Sequence, residues 1–396
     1  MGLYPASRYF KNPIMWSSIL GAFPWQMIFQ ENAKLQQVYR WYSNFMLTWY
    51  FGMVTTEYIQ LYHILNANVI QMDEVCENVC MSLVFTCTGL RVWVMRRTNG
   101  LSEIIQTVVD AEREADGLDD EKTRQYEDIH VKHMEKVSFI YAAFVFMSVT
   151  NGCLATLYAD TKSVIIGNST IVEKPLIIST WFPFDKNEHY WVAYGLQVFD
   201  GYMAALTVAC TDILMFNMIS YPIGQLTKLQ HLVRNMAVYK THFEAFPTFT
   251  KIVQRHKHII KYVELFNQSM GTFAIFEFVQ SSVQIASVLV QTSPDDLTLM
   301  SFCFIVLFFT SMLTRLFMYY YSANEVIIQS INLGDSVWES SWYHQPHQLK
   351  QAMLMVLVRA QKPVSYKIGG FGIMSMQSIV AILKATYTYI SVILRN

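Results

Sequence analysis

Residues 137–159 read VSFIYAAFVFMSVTNGCLATLYA, a run with no charged side chain. A bilayer's hydrocarbon core takes about 20 such residues as one helix. Working outward, six further stretches have similar length and character: 41–62, 75–95, 190–219, 266–291, 298–322 and 369–394. Several hold a single ionisable residue, as expected for helices packed on one another rather than singly immersed in lipid. Composition agrees: 53% of the 396 residues are hydrophobic and 15% charged, with mean hydropathy +0.24, against roughly 25% charged residues in soluble domains. The sequence therefore predicts an all-α membrane protein of seven transmembrane helices. Sparse Gly and Pro and the absence of low-complexity tracts make residues 1–396 one unit. A net charge of −1 argues against a nucleic-acid partner.

Orientation follows from the cationic residues of the connections. Segments 1–40, 96–136, 220–265 and 323–368 hold 22 of the 29 Lys and Arg residues, and segments 63–74, 160–189, 292–297 and 395–396 hold four. The first set is cytosolic on that rule, with the N-terminus inside and the C-terminus outside. A G-protein-coupled receptor has the reverse orientation. The sequon Asn168-Ser169-Thr170 lies in the outer 160–189 loop, so Asn168 is a glycosylation candidate. A second sequon at Asn267 sits on the cytosolic side and is expected to stay unmodified.

The apolar run at 14–29 contains Pro24 and is followed by charge instead of a small-residue cleavage site, so it is read as a cytosolic or interfacial lead-in. The six cysteines form no CxxC pair and are read as packing residues. Apolar residues recur at helical spacing in 96–136 (Ile104, Ile105, Val108, Val109) and 220–265 (Ile252, Val253, Ile259, Ile260, Val263), so helices are expected to extend into the cytosol. The acid-rich 110–128 piece is read as a solvated helix face. His256-Lys257-His258 and the pair His344 and His347 lack a Cys or carboxylate cluster and are read as surface histidines, with no metal and no cofactor expected. No P-loop, GxSxG or HExxH pattern occurs, so an enzyme is not expected.

The closing ILKATYTYISVILRN (382–396) carries Lys384, Thr388, Ser391 and Arg395 on one helical face, with Ile382, Leu383, Ile390 and Ile393 covering much of the rest. One side asks for water, the other for lipid or protein. Lys384 is expected to face a pore or a carboxylate such as Glu277 or Asp212. Glu57, Arg91, Asp200, Asp212 and Glu277 are assigned to interhelical polar pairing.

Four ordered motifs mark the last quarter: Asn324-Glu325 closing an aromatic segment, Ser340-Ser341-Trp342-Tyr343, Arg359-x-Gln361-Lys362-Pro363, and Leu383-Lys384-x-x-Tyr387-x-Tyr389. Together they resemble the insect odorant receptor family. Ile19-Leu20-Gly21 with Pro24 and WFPFD at 181–185 extend the resemblance over the whole length. A large insertion of the family's co-receptor is missing, so the chain resembles a tuning, odorant-selecting subunit.

The resemblance implies a ligand-gated non-selective cation channel, assembled with the co-receptor as a heterotetramer in the plasma membrane of olfactory sensory neuron dendrites. A cytosolic anchor would come from 96–136, 220–265 and 323–368, and the seventh helix would line the pore. Val392 falls on the family's hydrophobic gate, and Arg395 on a polar position at the outer mouth, where a snorkelling Arg is the other reading. The odorant pocket lies between the second, third, fourth and sixth spans. Its candidates are Met81, Val84 and Phe85; Met147, Ser148 and Asn151; Tyr194, Val198 and Tyr202; and Phe302, Ile305 and Phe309. Small volatile ligands and membrane lipid are the implied small partners. A gustatory receptor of the same fold, a G-protein-coupled receptor and a transporter are the alternatives. The last would show internal repeats, which the sequence does not display.

Overall fold

The computed structural model describes residues 7–67, 72–97, 99–113, 120–159, 162–166, 169–238, 242–290, 299–370 and 372–393. Every expected span contains a helix. The elements are α1 (Lys11–Ile19), α2 (Ala33–Leu65), α3 (Met72–Arg97), α4 (Asn99–Arg113), α5 (Glu121–Leu157), a hairpin of β1 (Lys162–Ile166) and β2 (Ser169–Glu173), then α6 (Tyr190–Arg234), α7 (His242–Val290), α8 (Leu299–Glu339), α9 (His347–Ala360) and α10 (Met376–Ile393). The hairpin, with Lys162 opposite Glu173, is a small exception to an otherwise helical fold. Asn168 lies outside the described residues.

Among the described residues, four helices are long and apolar enough to cross a membrane, within α3, α5, α6 and α8. The other expected spans form α2, α7 and α10 without meeting that measure. The last begins later than the apolar run does. Gly369 takes φ +50°, and a Cβ there would lie 2.3 Å from Ile275 Cδ1. The chain reverses at this point, with Ile368 N donating to Gly372 O and Met374 N to Tyr366 O, both at 2.9 Å. Only after that turn does α10 start, its first amide reaching Asn324 Oδ1 at 3.4 Å.

The helices also run on beyond the apolar stretches, as the periodicity in 96–136 and 220–265 predicts. The 49 residues of α7 span about 70 Å at 1.5 Å each, far more than the ~30 Å hydrocarbon layer. Leu101, Ile104, Ile105, Val108 and Val109 of α4 are all buried. The acid-rich piece, however, is not simply solvated. Glu127 is 6% exposed and pairs with Lys228 Nζ at 3.2 Å, while Glu112 accepts from Ser7 Oγ at 2.9 Å. Two amphipathic helices packing together bury the acids that lie at their edge. His256 is likewise buried, at 5% exposure, because its face of α7 turns inward; His344 and His347 are exposed.

The inner bundle is organised around a proline. Pro222 sits inside α6 and has no N–H to give the carbonyl four residues back, which belongs to Met218. Tyr262 Oη donates to that oxygen at 2.9 Å and Tyr366 Oη at 3.3 Å, the latter also reaching Ile219 O at 3.2 Å. Two phenols from α7 and the segment before α10 thus close the gap. Their rings continue an aromatic stack, with Tyr221–Tyr262 centroids 4.9 Å apart and Phe266–Tyr366 4.8 Å.

Candidate ligand cavity and the ionic network beneath it

Two helices, α5 and α6, present small residues to a third, α8. Gly152 of α5 and Gly201 and Ala205 of α6 face Phe304 and Phe308 of α8 across a cavity of about 110 Å³. A Cβ on Gly152 would press to 3.1 Å from the Phe304 ring. Each wall is a helical row: Tyr141, Val145, Ser148, Val149 and Gly152 on α5; Gln197, Gly201, Ala205 and Val208 on α6; Phe304, Phe308, Ser311, Met312 and Arg315 on α8. Met81, Val84 and Phe85 of α3 complete it. The lining is mostly apolar with a few polar groups, the usual make-up of a small-molecule site.

Of the twelve expected pocket positions, Met81, Val84, Phe85 and Ser148 line this cavity and the others do not. Met147 and Phe302 are exposed, at 46% and 49%. Tyr194 donates to Cys153 O at 2.9 Å, and Tyr202 meets Thr150 Oγ1 at 2.8 Å while stacking on Phe146. Ile305 and Phe309 pack against the core, and Asn151 and Val198 fall beside the lining. The expected rows on α6 and α8 were bulky, and the lining rows sit one to three positions away, on another face of each helix. On α6 the lining row is opened by the small Gly201 and Ala205, while on α8 it is still aromatic, Phe304 and Phe308.

A roof closes the cavity. Gln197 Oε1 accepts from Ile177 N at 2.9 Å and Ile178 N at 3.4 Å, and its Nε2 donates to Ile178 O at 2.7 Å. Asn78 Nδ2 donates to Ser179 O at 2.8 Å, Ser179 Oγ to Glu74 at 2.8 Å, and Trp181 N to Thr56 O at 3.3 Å. The 177–181 segment thus finds partners for its backbone in α2, α3 and α6. A lone amide such as Gln197 within an apolar run was the signal for this role in the sequence.

The floor is ionic. Arg91 of α3 pairs with Asp212 of α6, and with Glu277 of α7 at 2.8 Å. Arg315 of α8 reaches Glu277 at 3.0 Å and Gln284 Oε1 at 2.8 Å. Tyr319 Oη donates to Asp212 Oδ1 at 2.9 Å, and Tyr141 Oη donates to Oδ2. Two cations and two anions balance while each is at most 6% exposed. Breaking such a set leaves a bare charge in a dry interior, which is strongly destabilising. Because Arg91 and Arg315 already occupy both acids, Lys384 does not join them. It is exposed on α10, so of the two expected surroundings, a pore or a carboxylate, the pairing with Glu277 or Asp212 does not form.

Helix α10 is two-faced. Ile379, Ile382 and Thr386 are buried where the helix meets α7 and α8. Lys384 and Thr388 lie on the other side, and Thr388 Oγ1 donates to Lys384 O at 3.0 Å. The helix runs on through Ser391 and Val392, whose side chains fall outside what is described, as does all of Arg395.

Known proteins give this arrangement its context. The olfactory receptor OR5 of Machilis hrabei, solved with eugenol and without it, superposes with TM-scores of 0.79 and 0.78 at 17% identity. The complex with eugenol aligns over 98% of both chains. In sequence, odorant receptor Or2 of Anopheles gambiae is 25% identical over 38% of this chain, and putative odorant receptor 92a of Drosophila melanogaster 23% over 70%. The aligned part spans 39% of the length of Or2 and 68% of that of 92a. The 7tm Odorant receptor family pattern matches residues 71–387, and the chain, a multi-pass helical membrane protein, belongs to that family.

Proposed function

We propose that the chain is an odorant-selecting subunit of a ligand-gated, non-selective cation channel, working with a co-receptor in a heterotetramer at the dendrite membrane of olfactory sensory neurons. The observation that carries this reading is the roofed apolar cavity set directly on the four-residue ionic network. Arg315 belongs to both, and Tyr141 lines the cavity while donating to Asp212. A small volatile molecule in the cavity presses on α8 from Phe304 to Arg315. Through Gln284 and Glu277 the load passes to α7, and α7 packs on α10. Ligand preference for one of two packings of α7, α8 and α10 then shifts the pore population.

Orientation and assembly follow the same logic. The N-terminus is cytosolic and the helix extensions form the anchor. Ile331, Trp338, Tyr343, Met355 and Val358 are all exposed there, apolar surface beyond the bilayer that a neighbouring subunit covers. Val392 is the gate residue, where an apolar ring stops ions by dewetting, with Arg395 at the outer mouth and Asn168 glycosylated.

Current recording with and without the co-receptor, against a broad odour panel and with intracellular guanine-nucleotide analogues, tests the reading. Odour-evoked cation current independent of nucleotide is expected. A current that requires nucleotide would refute direct gating, and a Val392→Ala change leaving leak and selectivity untouched would remove the gate assignment.

A further inference from the structure

Beside the main cavity lies a smaller one of about 40 Å³ between α2, α3 and α6, sharing Phe85, Ile178, Gln197 and Gly201 with it. Two acids line this annexe, Glu57 from α2 and Asp200 from α6. Glu57 is only 5% exposed, yet its Oε2 meets no donor. Asp200 accepts from Trp49 Nε1 at 3.0 Å through Oδ1 and leaves Oδ2 without a partner. Neither pairs with a cation among the described residues, in contrast to Asp212 and Glu277. The interhelical polar pairing expected of Asp200 is met by the Trp49 indole of α2, but neither acid has a protein cation to answer it among the described residues. A buried carboxylate in that state stays protonated until a cation from elsewhere makes its ionised form favourable.

The remaining walls say which kind. Trp49, Tyr50 and Phe85 face the same space, and the Tyr50 hydroxyl also lacks a partner. Aromatic faces attract organic ammonium groups through their quadrupoles, and carboxylates take their N–H donors in strong charge-assisted bonds. The volume suits a head group such as –NH₃⁺ or a methylammonium and excludes a ring, since one water-sized probe already needs about 10–15 Å³.

We propose that the annexe binds the protonated amine of an amine ligand, whose apolar remainder passes the shared wall into the main cavity. This deepens the odorant-site reading and rests on it for the tail. Glu57 and Asp200 accept from the ammonium, Trp49 and Phe85 flank it, and the ionic network beneath the main cavity stays intact.

The test pairs 2-phenylethylamine with 2-phenylethanol, which share a skeleton and differ at the head. On purified full-length chain, ligand-dependent thermal shifts read binding without gating. The amine is expected to act at lower concentration than the alcohol. Glu57→Gln should weaken the amine about tenfold or more while moving the alcohol less than about twofold. Asp200→Asn, on the more exposed acid, supplies the same readout if the first variant does not accumulate. Equal shifts for both ligands, or an equal shift from sodium chloride alone, would overturn the proposal. Currents in expressing cells separate the two readings. Amine-selective stabilisation without any odour-evoked current would sink the channel reading and leave the site standing. Alcohol-evoked current with an inert amine would do the reverse.

Discussion

The two ends of α6 are built on different terms. Toward its N-terminus, the outer half of the proposed orientation, it offers Gln197, Gly201 and Ala205 to cavities, and Asp200 of α6 with Ser148 and Glu57 of its neighbours keeps unpartnered atoms. From Met218 to Val233 it is buried almost throughout, and its backbone gap at Pro222 is closed by two tyrosines. Space and spare hydrogen-bonding capacity mark a region shaped to receive something. Dense packing with the proline gap closed marks one shaped to hold and transmit. The ionic network sits at the boundary and belongs to both.

Breaking that boundary should cost most. Asp212→Ala strips partners from Arg91, Arg315, Tyr141 and Tyr319 and is expected to lose about 3–5 kcal/mol, seen as failure of folded receptor to reach the surface. A variant reaching it at the original level would show that the two halves are not joined there.

Acid should find the inner half next. Burial, with the charge of Arg359 behind it, pushes the His256 imidazole down from its usual 6.5 to about 4. A folded value below the unfolded one means that the unfolded chain takes up the proton first. The contribution is whole above about pH 6.5 and declines as pH falls toward 4, by up to about 3 kcal/mol. Melting temperature followed from pH 7 to 4.5 should drop, and His256→Gln should flatten the slope.

In the outer half the expected effects move from stability to affinity. Gln197→Ala frees the roof from three hydrogen bonds; odour sensitivity should fall roughly tenfold, about 1–2 kcal/mol, with melting little changed. Dose–response curves and melting on the same preparation decide this. Smallest of all, Ser148→Ala removes a hydroxyl that has no partner, so stability should stay within about 0.5 kcal/mol, while ligands bearing a hydrogen-bond acceptor lose a few-fold in potency relative to hydrocarbons. A large loss of stability here would mean that the cavity wall is as tightly built as the inner core.

Much of the helix content was readable from the residues. Seven apolar stretches became helices, and the cytosolic periodicity at Ile104, Val108 and Ile259 became buried faces. The late start of α10 is the instructive exception: an apolar run continued through Gly369 and Gly372, but their positive φ values turn the chain before the helix begins. The cavity was harder to see. On α6 and α8 the expected rows differ from the rows that line this cavity, where Gly152 of α5 and Gly201 and Ala205 of α6 leave volume unfilled beside Phe304 and Phe308.

What the sequence determined by itself is local: helix periodicity, a length set by bilayer thickness, cationic asymmetry, and the motifs of the last quarter. These depend on neighbours along the chain. Tertiary structure alone decided which acids are answered. Asp212 and Glu277 meet Arg91 and Arg315 because α3, α6, α7 and α8 converge there, leaving Lys384 outside. Glu57 and Asp200 share a cavity whose lining, among the described residues, includes no cation. The composition is the same in both cases, but the energy of a buried charge depends on the few ångströms between helices, a distance that no spacing along one chain encodes.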